Sequence, residues 1–134
     1  IPSTYITSTP QRLDMYKTIA NIRSNEEAND VYDELTDRFG VPPASVYGLV
    51  EIALLRNTAM QLGIYEIRQA GINAKFFLND VKPEYLIALN EKMRGRAKLN
   101  SGKKTFLSVE TIGGDTIGCV RDTLNLLSES VKNE

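Results

Sequence analysis

Apolar residues in this chain change their spacing at Gly63, and that change limits the possible folds more than any other feature of the sequence. Upstream they recur at intervals of three and four, the period of helices that bury one face. Downstream they gather into short β-branched and aromatic runs separated by glycine, the pattern of strands joined by turns. At 134 residues the chain is long enough to bury a core without disulfides or metal, and 42% of it is apolar. The expected fold class is α+β in a single domain, residues 1–134. A three-helix half, 1–63, precedes an α+β half, 64–134, in which a small antiparallel sheet carries two further helices.

The element boundaries follow from capping signals. Thr9-Pro10 reads as an N-cap followed by proline at the first helical position, with Leu13, Tyr16 and Ala20 recurring on one face through about Arg23. Ser24, with Glu27 three residues on, is a capping box that opens a second helix. There Ala28, Val31, Tyr32, Leu35 and Phe39 form a narrow apolar stripe, and Gly40 and Val41-Pro42-Pro43 end it. A third helix from Ala44 to Leu62 is apolar nearly all round and reads as the buried central helix, with Gly63 as its C-cap. Ile64 to Ile67 and Ala74 to Leu78 predict a hairpin around Gly71. Pro83 to Met93 predicts a short helix with Leu86, Ile87 and Leu89 inside. Strands at Ala97 to Leu99 and Thr105 to Val109 flank a loop containing Gly102. Gly113-Gly114 makes a turn, Asp115 caps a final helix, and Ile117, Val120, Leu124, Leu127 and Val131 supply its stripe.

Several chemistries have no residues to run on. The chain has no histidine, which removes the usual general base near neutral pH, the commonest metal ligand and the triads built on it. Its one cysteine, Cys119, has no internal partner and falls on or beside the last apolar stripe, where a thiol behaves as a small hydrophobe. No run approaches the ~18 apolar residues of a membrane span. A soluble, cytoplasmic setting with no cofactor is therefore expected. The first residues, Ile1-Pro2-Ser3-Thr4-Tyr5, carry neither an initiator methionine nor a signal peptide, as in a piece of a longer chain. Asn100 to Thr105 superficially resembles a phosphate loop. The upstream glycine position is Ala97, however, and Lys104 intervenes before the hydroxyl residue, so an exposed turn is the better reading. Gly113-Gly114-Asp115 reads as a capped turn, since Asp115 would repel an anion there.

Charge is nearly balanced overall, 16 basic against 17 acidic residues, but it is unevenly placed. Lys92, Arg94, Arg96, Lys98, Lys103 and Lys104 put six positive charges and no negative one into thirteen residues. That is the one segment able to neutralise several phosphates, although it has no interleaved aromatic to stack on bases, and a solvated loop is the simpler reading. At the other pole, six acids lie between Glu26 and Asp37, and a helical wheel gathers Glu26, Asp30, Asp33, Glu34 and Asp37 opposite the apolar stripe. Such a face is usually only solvated. Yet like charges at these spacings cost a helix a few tenths of a kcal/mol each, so a cationic partner surface is the competing explanation.

At this helix the sequence resembles a known family. Asp33-Glu34-Leu35-Thr36-Asp37-Arg38-Phe39-Gly40-Val41-Pro42 is preceded by Gln11-Arg12-Leu13, Tyr16-Lys17 and Ile19-Ala20. It is followed by Leu55-Arg56, Ala59 and Leu62-Gly63-Ile64. Together these resemble the C-terminal domain of the bacterial transcription-repair coupling factor, specifically through about residue 65 and more loosely beyond. The resemblance implies a parent protein that is an ATP-dependent DNA translocase. That parent would bind RNA polymerase, double-stranded DNA, ATP and the damage-recognition ATPase of excision repair. Its C-terminal domain would be a regulatory, non-enzymatic module docked on the N-terminal repair-recruitment module of the same protein. Glu34, Asp37 and Arg38 match the family positions carried over to that contact, and Asp30 lies on the same face. The alternative is a nucleic-acid-contacting accessory module that uses the 92–104 segment through Arg94, Arg96, Lys103 and Lys104. A small hydrolase built on paired carboxylates ranks last.

Overall fold

A computed structural model of the chain describes residues 1–132. It is an α+β structure of five helices and one four-stranded antiparallel sheet among those residues. The chain divides into two compact units, residues 1–57 and the residues from Thr58 onward, so the division falls inside a helix rather than at Gly63.

In the first unit, helix α1 (Thr9–Ala20) is capped by Ser8 rather than Thr9, the Ser8 hydroxyl accepting from the Gln11 N–H at 3.4 Å. It ends at Ala20, short of Arg23, its last turn tightening to i−3 bonds from the Asn21 N–H to Thr18 and from the Ile22 N–H to Ile19. The Arg23 carbonyl then accepts from the Asn57 amide at 2.9 Å. The expected inner face of α1 is its outer one: Leu13 and Tyr16 are 56% and 40% exposed, and Ala20 is exposed, while Met15 and Ile19 are buried. Two stripes at helical spacing compete on this helix. The winning one continues beyond the helix end into buried Ile22 and so makes the longer seam.

Helix α2 (Asn25–Phe39) follows its sequence pattern closely. Ser24 accepts from the Glu27 N–H at 3.1 Å, and the Glu27 carboxylate reaches back to the Arg23 N–H at 2.6 Å, a capping box displaced by one residue. Ala28, Val31 and Leu35 are buried, and Gly40 ends the helix at φ 87°, where a side chain would be strained. Helix α3 (Ala44–Gln61) buries Val46, Val50 and Ala53 in the same core, but it is not enclosed all round, since Ile52 is 43% and Met60 69% exposed. The core of this unit thus joins α1, α2 and the start of α3, with Ile6 of the N-terminal segment fully buried in it.

The second unit begins with the last turn of α3. Leu62, just past that helix, accepts a hydrogen bond at 3.1 Å from the hydroxyl of buried Tyr85, which explains why this turn belongs with the sheet. The sheet contains β1 (Ile64–Ala70), β2 (Asn73–Leu78), β3 (Ala97–Ser101) and β4 (Thr105–Glu110) in the order β1-β2-β4-β3, every neighbour antiparallel. The strands outrun the apolar runs that signalled them by one to three residues, because ladder hydrogen bonds continue to the turns. Strands β2 and β3 flank β4 and run parallel, joined by helix α4 (Pro83–Lys92), which makes a split β-α-β unit.

Helix α5 (Thr116–Lys132) follows β4, capped by Asp115, whose carboxylate accepts from the Gly118 N–H at 2.9 Å. Helices α4 and α5 pack on each other and on β2, β3 and β4. The core of this unit is Ala74, Phe76 and Leu78 of β2, Leu107 and Val109 of β4, and Leu124 and Leu127 of α5. Burying a side chain of this size contributes about 1.5 to 3 kcal/mol. Two inward assignments are corrected. Tyr85 and Leu89, not Leu86 and Ile87, face inward from α4, and Ile117 is 43% exposed on α5, where Cys119, Thr123 and Leu124 are buried. In both helices the apolar run is wider than the seam, and the sheet selects the residues that meet it. No helix among the described residues is long and apolar enough to cross a membrane.

Candidate protein-interaction face

The charged face of α2 is held from behind. Leu35 is fully buried, Val31 is buried, and Phe39 is half-buried against Tyr5 in an edge-to-face contact with centroids 5.9 Å apart. The Tyr5 hydroxyl donates to the Gly40 carbonyl at 2.7 Å and lies 3.2 Å from the Leu35 carbonyl, so the N-terminal segment grips the C-terminal end of α2. Burial, with Tyr47 nearby, pushes the Tyr5 phenol above its ordinary value of 10.0.

From this support Asp30, Glu34, Asp37 and Arg38 all project into solvent. Arg38 Nη1 donates to Glu34 Oε1 at 3.1 Å, and its guanidinium lies 5.0 Å from the centroid of the Phe39 ring. With both partners nearly half exposed, this i, i+4 pair stabilises the helix by only about 0.3 to 0.5 kcal/mol. It does fix the guanidinium beside the carboxylate, so that the pair presents a donor and an acceptor together. Asp30 and Asp37 form no ion pair among the described residues. The patch therefore sets three carboxylates against one guanidinium and suits a partner with arginine or lysine at its centre.

The geometry adds a wall that α2 alone could not reveal. A shallow groove of about 290 Å³ separates α1 from α2, lined by Thr18, Asn21 and Ile22 on one side and Glu27, Asp30, Val31 and Glu34 on the other. Asp30 and Glu34 border it, whereas Asp37 and Arg38 do not. Thr18 of α1 and Asn21 just past it carry no signal in the sequence, because the groove exists only once the Met15, Ile19 and Ile22 seam has set the two helices side by side.

The basic segment is not brought together. Arg94 lies just after α4, and Lys103 and Lys104 occupy the turn at the opposite end of β3. Arg96 is committed to structure, its Nε and Nη2 donating to the Glu110 carbonyl at 3.2 and 3.0 Å. Gly102 to Lys104 link antiparallel strands, so no helix N-terminus follows them to receive a phosphate. The Cys119 thiol is raised above its ordinary 9.0 chiefly by burial, which leaves it a packed apolar group.

Comparison with known proteins bears on the family and the fold. A family model described as "TRCF domain" matches residues 1–88. The transcription-repair-coupling factor of Escherichia coli (strain K12) is 33% identical over 103 residues, covering 75% of this chain and 9% of that protein. Its counterpart in Bacillus subtilis (strain 168) is 30% identical over 119 residues, covering 84% of this chain and 10% of that protein. The chain thus spans about a tenth of the length of these relatives. A crystal structure of the C-terminal domain of transcription-repair coupling factor matches it with a TM-score of 0.81 at 19% identity, over 100% of this chain and 89% of that one, and shows the same fold.

Proposed function

Because this chain belongs to the TRCF domain family, we propose that it is the non-catalytic regulatory module of a transcription-repair coupling factor, acting through a protein contact made by α2. In this reading the Glu34, Asp37 and Arg38 face docks on the N-terminal repair-recruitment module of the same protein and covers the surface that the damage-recognition ATPase of excision repair would use. The parent's translocation, driven by ATP on double-stranded DNA, and its engagement of RNA polymerase belong to other parts of that protein.

The observation that supports this most is the contrast between the two sides of α2. A core side clamped by Leu35 and by the Tyr5 hydroxyl carries an outer side whose acids are exposed and largely unneutralised. Acids at these spacings cost the helix stability, and a cationic partner recovers that cost. A mask needs only a few kcal/mol of differential contact, which a small charged patch can supply. The test is a titration in trans of this chain against the separately produced N-terminal module. Saturable binding that weakens with salt and is lost in Glu34→Ala with Asp37→Ala supports the reading; binding indifferent to both contradicts it.

A further inference from the structure

The face of the sheet opposite α4 and α5 carries a pattern that is scattered in the linear sequence. Antiparallel register sets Arg68, Lys75, Ser108 and Lys98 side by side in one row across all four strands. The neighbouring row pairs Phe77 with Phe106 across the two central strands, their centroids 5.1 Å apart. Tyr65 of β1, 52% exposed, extends the cluster with its ring centroid 6.3 Å from that of Phe77. Cations roof these rings. The Arg68 guanidinium is 5.3 Å and the Lys104 ammonium 6.0 Å from the Phe77 centroid, and the Lys75 ammonium is 4.8 Å from that of Phe106. Of the acids on this face, Glu66 is tied to Arg68 at 2.5 Å and Glu110 stands at the end of β4.

Two features set this face apart from the side under α4 and α5. Arg68 and Lys75 are direct cross-strand partners, and like charges in that relation repel. The aromatic cluster lies on the side that carries neither helix of this unit. One class of ligand answers both, a polyanion that also offers flat, unpaired rings. We propose that this sheet face binds a short stretch of single-stranded nucleic acid. Arg68, Lys75, Lys98 and Lys104 take its phosphates, and Phe106 and Tyr65 stack its bases, with buried Phe77 fixing the spacing between those two rings.

Ion pairing with phosphate draws the lysines and arginine off the rings, so backbone capture and base stacking are one event. A duplex satisfies the cations but hides its base faces in its own stack, and a polyglutamate chain carries charge without rings. DNA and RNA strands bind alike, because the groups on this face meet charge and ring surface rather than the 2′-hydroxyl. Four-stranded sheet modules that stack unpaired bases on sheet aromatics supply a fold-level analogy.

The test is fluorescence anisotropy on this chain with labelled oligothymidylate and oligouridylate of about 12 nucleotides, a duplex of equal length, and a polyglutamate peptide. The expected result is micromolar binding of both single strands, at least about tenfold tighter than duplex or peptide, with a log–log salt slope of about −3 for four phosphates. Lys75→Gln with Lys98→Gln should halve that slope. Phe106→Leu, which keeps apolar volume but removes the ring, should weaken binding about 5- to 100-fold, and Phe106→Tyr should restore it. Glu34→Ala with Asp37→Ala should change nothing here, which separates this proposal from the docking role of α2. No saturable binding of either strand, equal affinity for duplex or peptide, or a folded Phe106→Leu that binds like the parent sequence would overturn it.

Discussion

Removing one hydroxyl should show how firmly the C-terminal end of α2 is held. Tyr5→Phe keeps the ring against Phe39 but deletes the donor that reaches the Gly40 carbonyl at 2.7 Å and the Leu35 carbonyl at 3.2 Å. A hydroxyl has one proton, so the two distances describe one good bond and a longer secondary contact rather than two full bonds. The expected loss is therefore about 1 kcal/mol, which for a chain of this size lowers the melting temperature by roughly 3 to 5 °C. Tyr5→Ala also removes the ring contact and its burial, and should cost about 3 kcal/mol or more. Urea and thermal unfolding of both variants beside the parent chain supply the comparison. A Tyr5→Phe chain as stable as the parent, or as damaged as Tyr5→Ala, would refute the account of the tether.

Leu35→Ala, at a fully buried position, should destabilise by about 2 to 5 kcal/mol in urea unfolding, whereas Glu34→Ala with Asp37→Ala should stay within about 0.5 kcal/mol. Gly40→Ala places a side chain at φ 87°, ψ −173°, a region open almost only to glycine, and should cost about 1 to 3 kcal/mol by the same assay. Burial raises the phenols of Tyr5, Tyr32 and Tyr85 and the thiol of Cys119. The folded state therefore holds these protons more tightly than the unfolded chain, and their contribution is complete below the ordinary values of 9.0 and 10.0. Stability measured against pH should begin to fall near pH 9 and fall further above pH 10, less so in Tyr85→Phe; a flat alkaline limb would contradict these placements.

What the sequence made legible was whatever local pattern dictates. The α2 stripe, its capping box and Gly40 were readable because one narrow row of apolar residues left a single way to face inward. Helix α1 is ambiguous in the sequence because Leu13-Tyr16-Ala20 and Met15-Ile19-Ile22 are both helical stripes, and only packing against α2 chooses between them. The same ambiguity put Leu86 and Ile87 of α4 inside, where Tyr85 and Leu89 lie. The exposed acids at Asp30, Glu34 and Asp37 could be placed from the wheel alone, but the α1 wall of the groove could not. The aromatic and basic sheet face was hidden for a related reason. Arg68, Lys75, Phe77, Lys98 and Phe106 become neighbours only through β1-β2-β4-β3 register, so a scan for aromatics inside the 92–104 segment finds none.

The docking role proposed for α2 is tested most directly in the full-length parent protein, by the affinity of the damage-recognition ATPase for the parent sequence and for Glu34→Ala with Asp37→Ala. Opening the masked state should raise that affinity by about 5- to 150-fold, the range of typical allosteric coupling, with an unchanged melting temperature. Unchanged affinity at an unchanged melting temperature would mean that the acidic face of α2 is solvated surface and masks nothing.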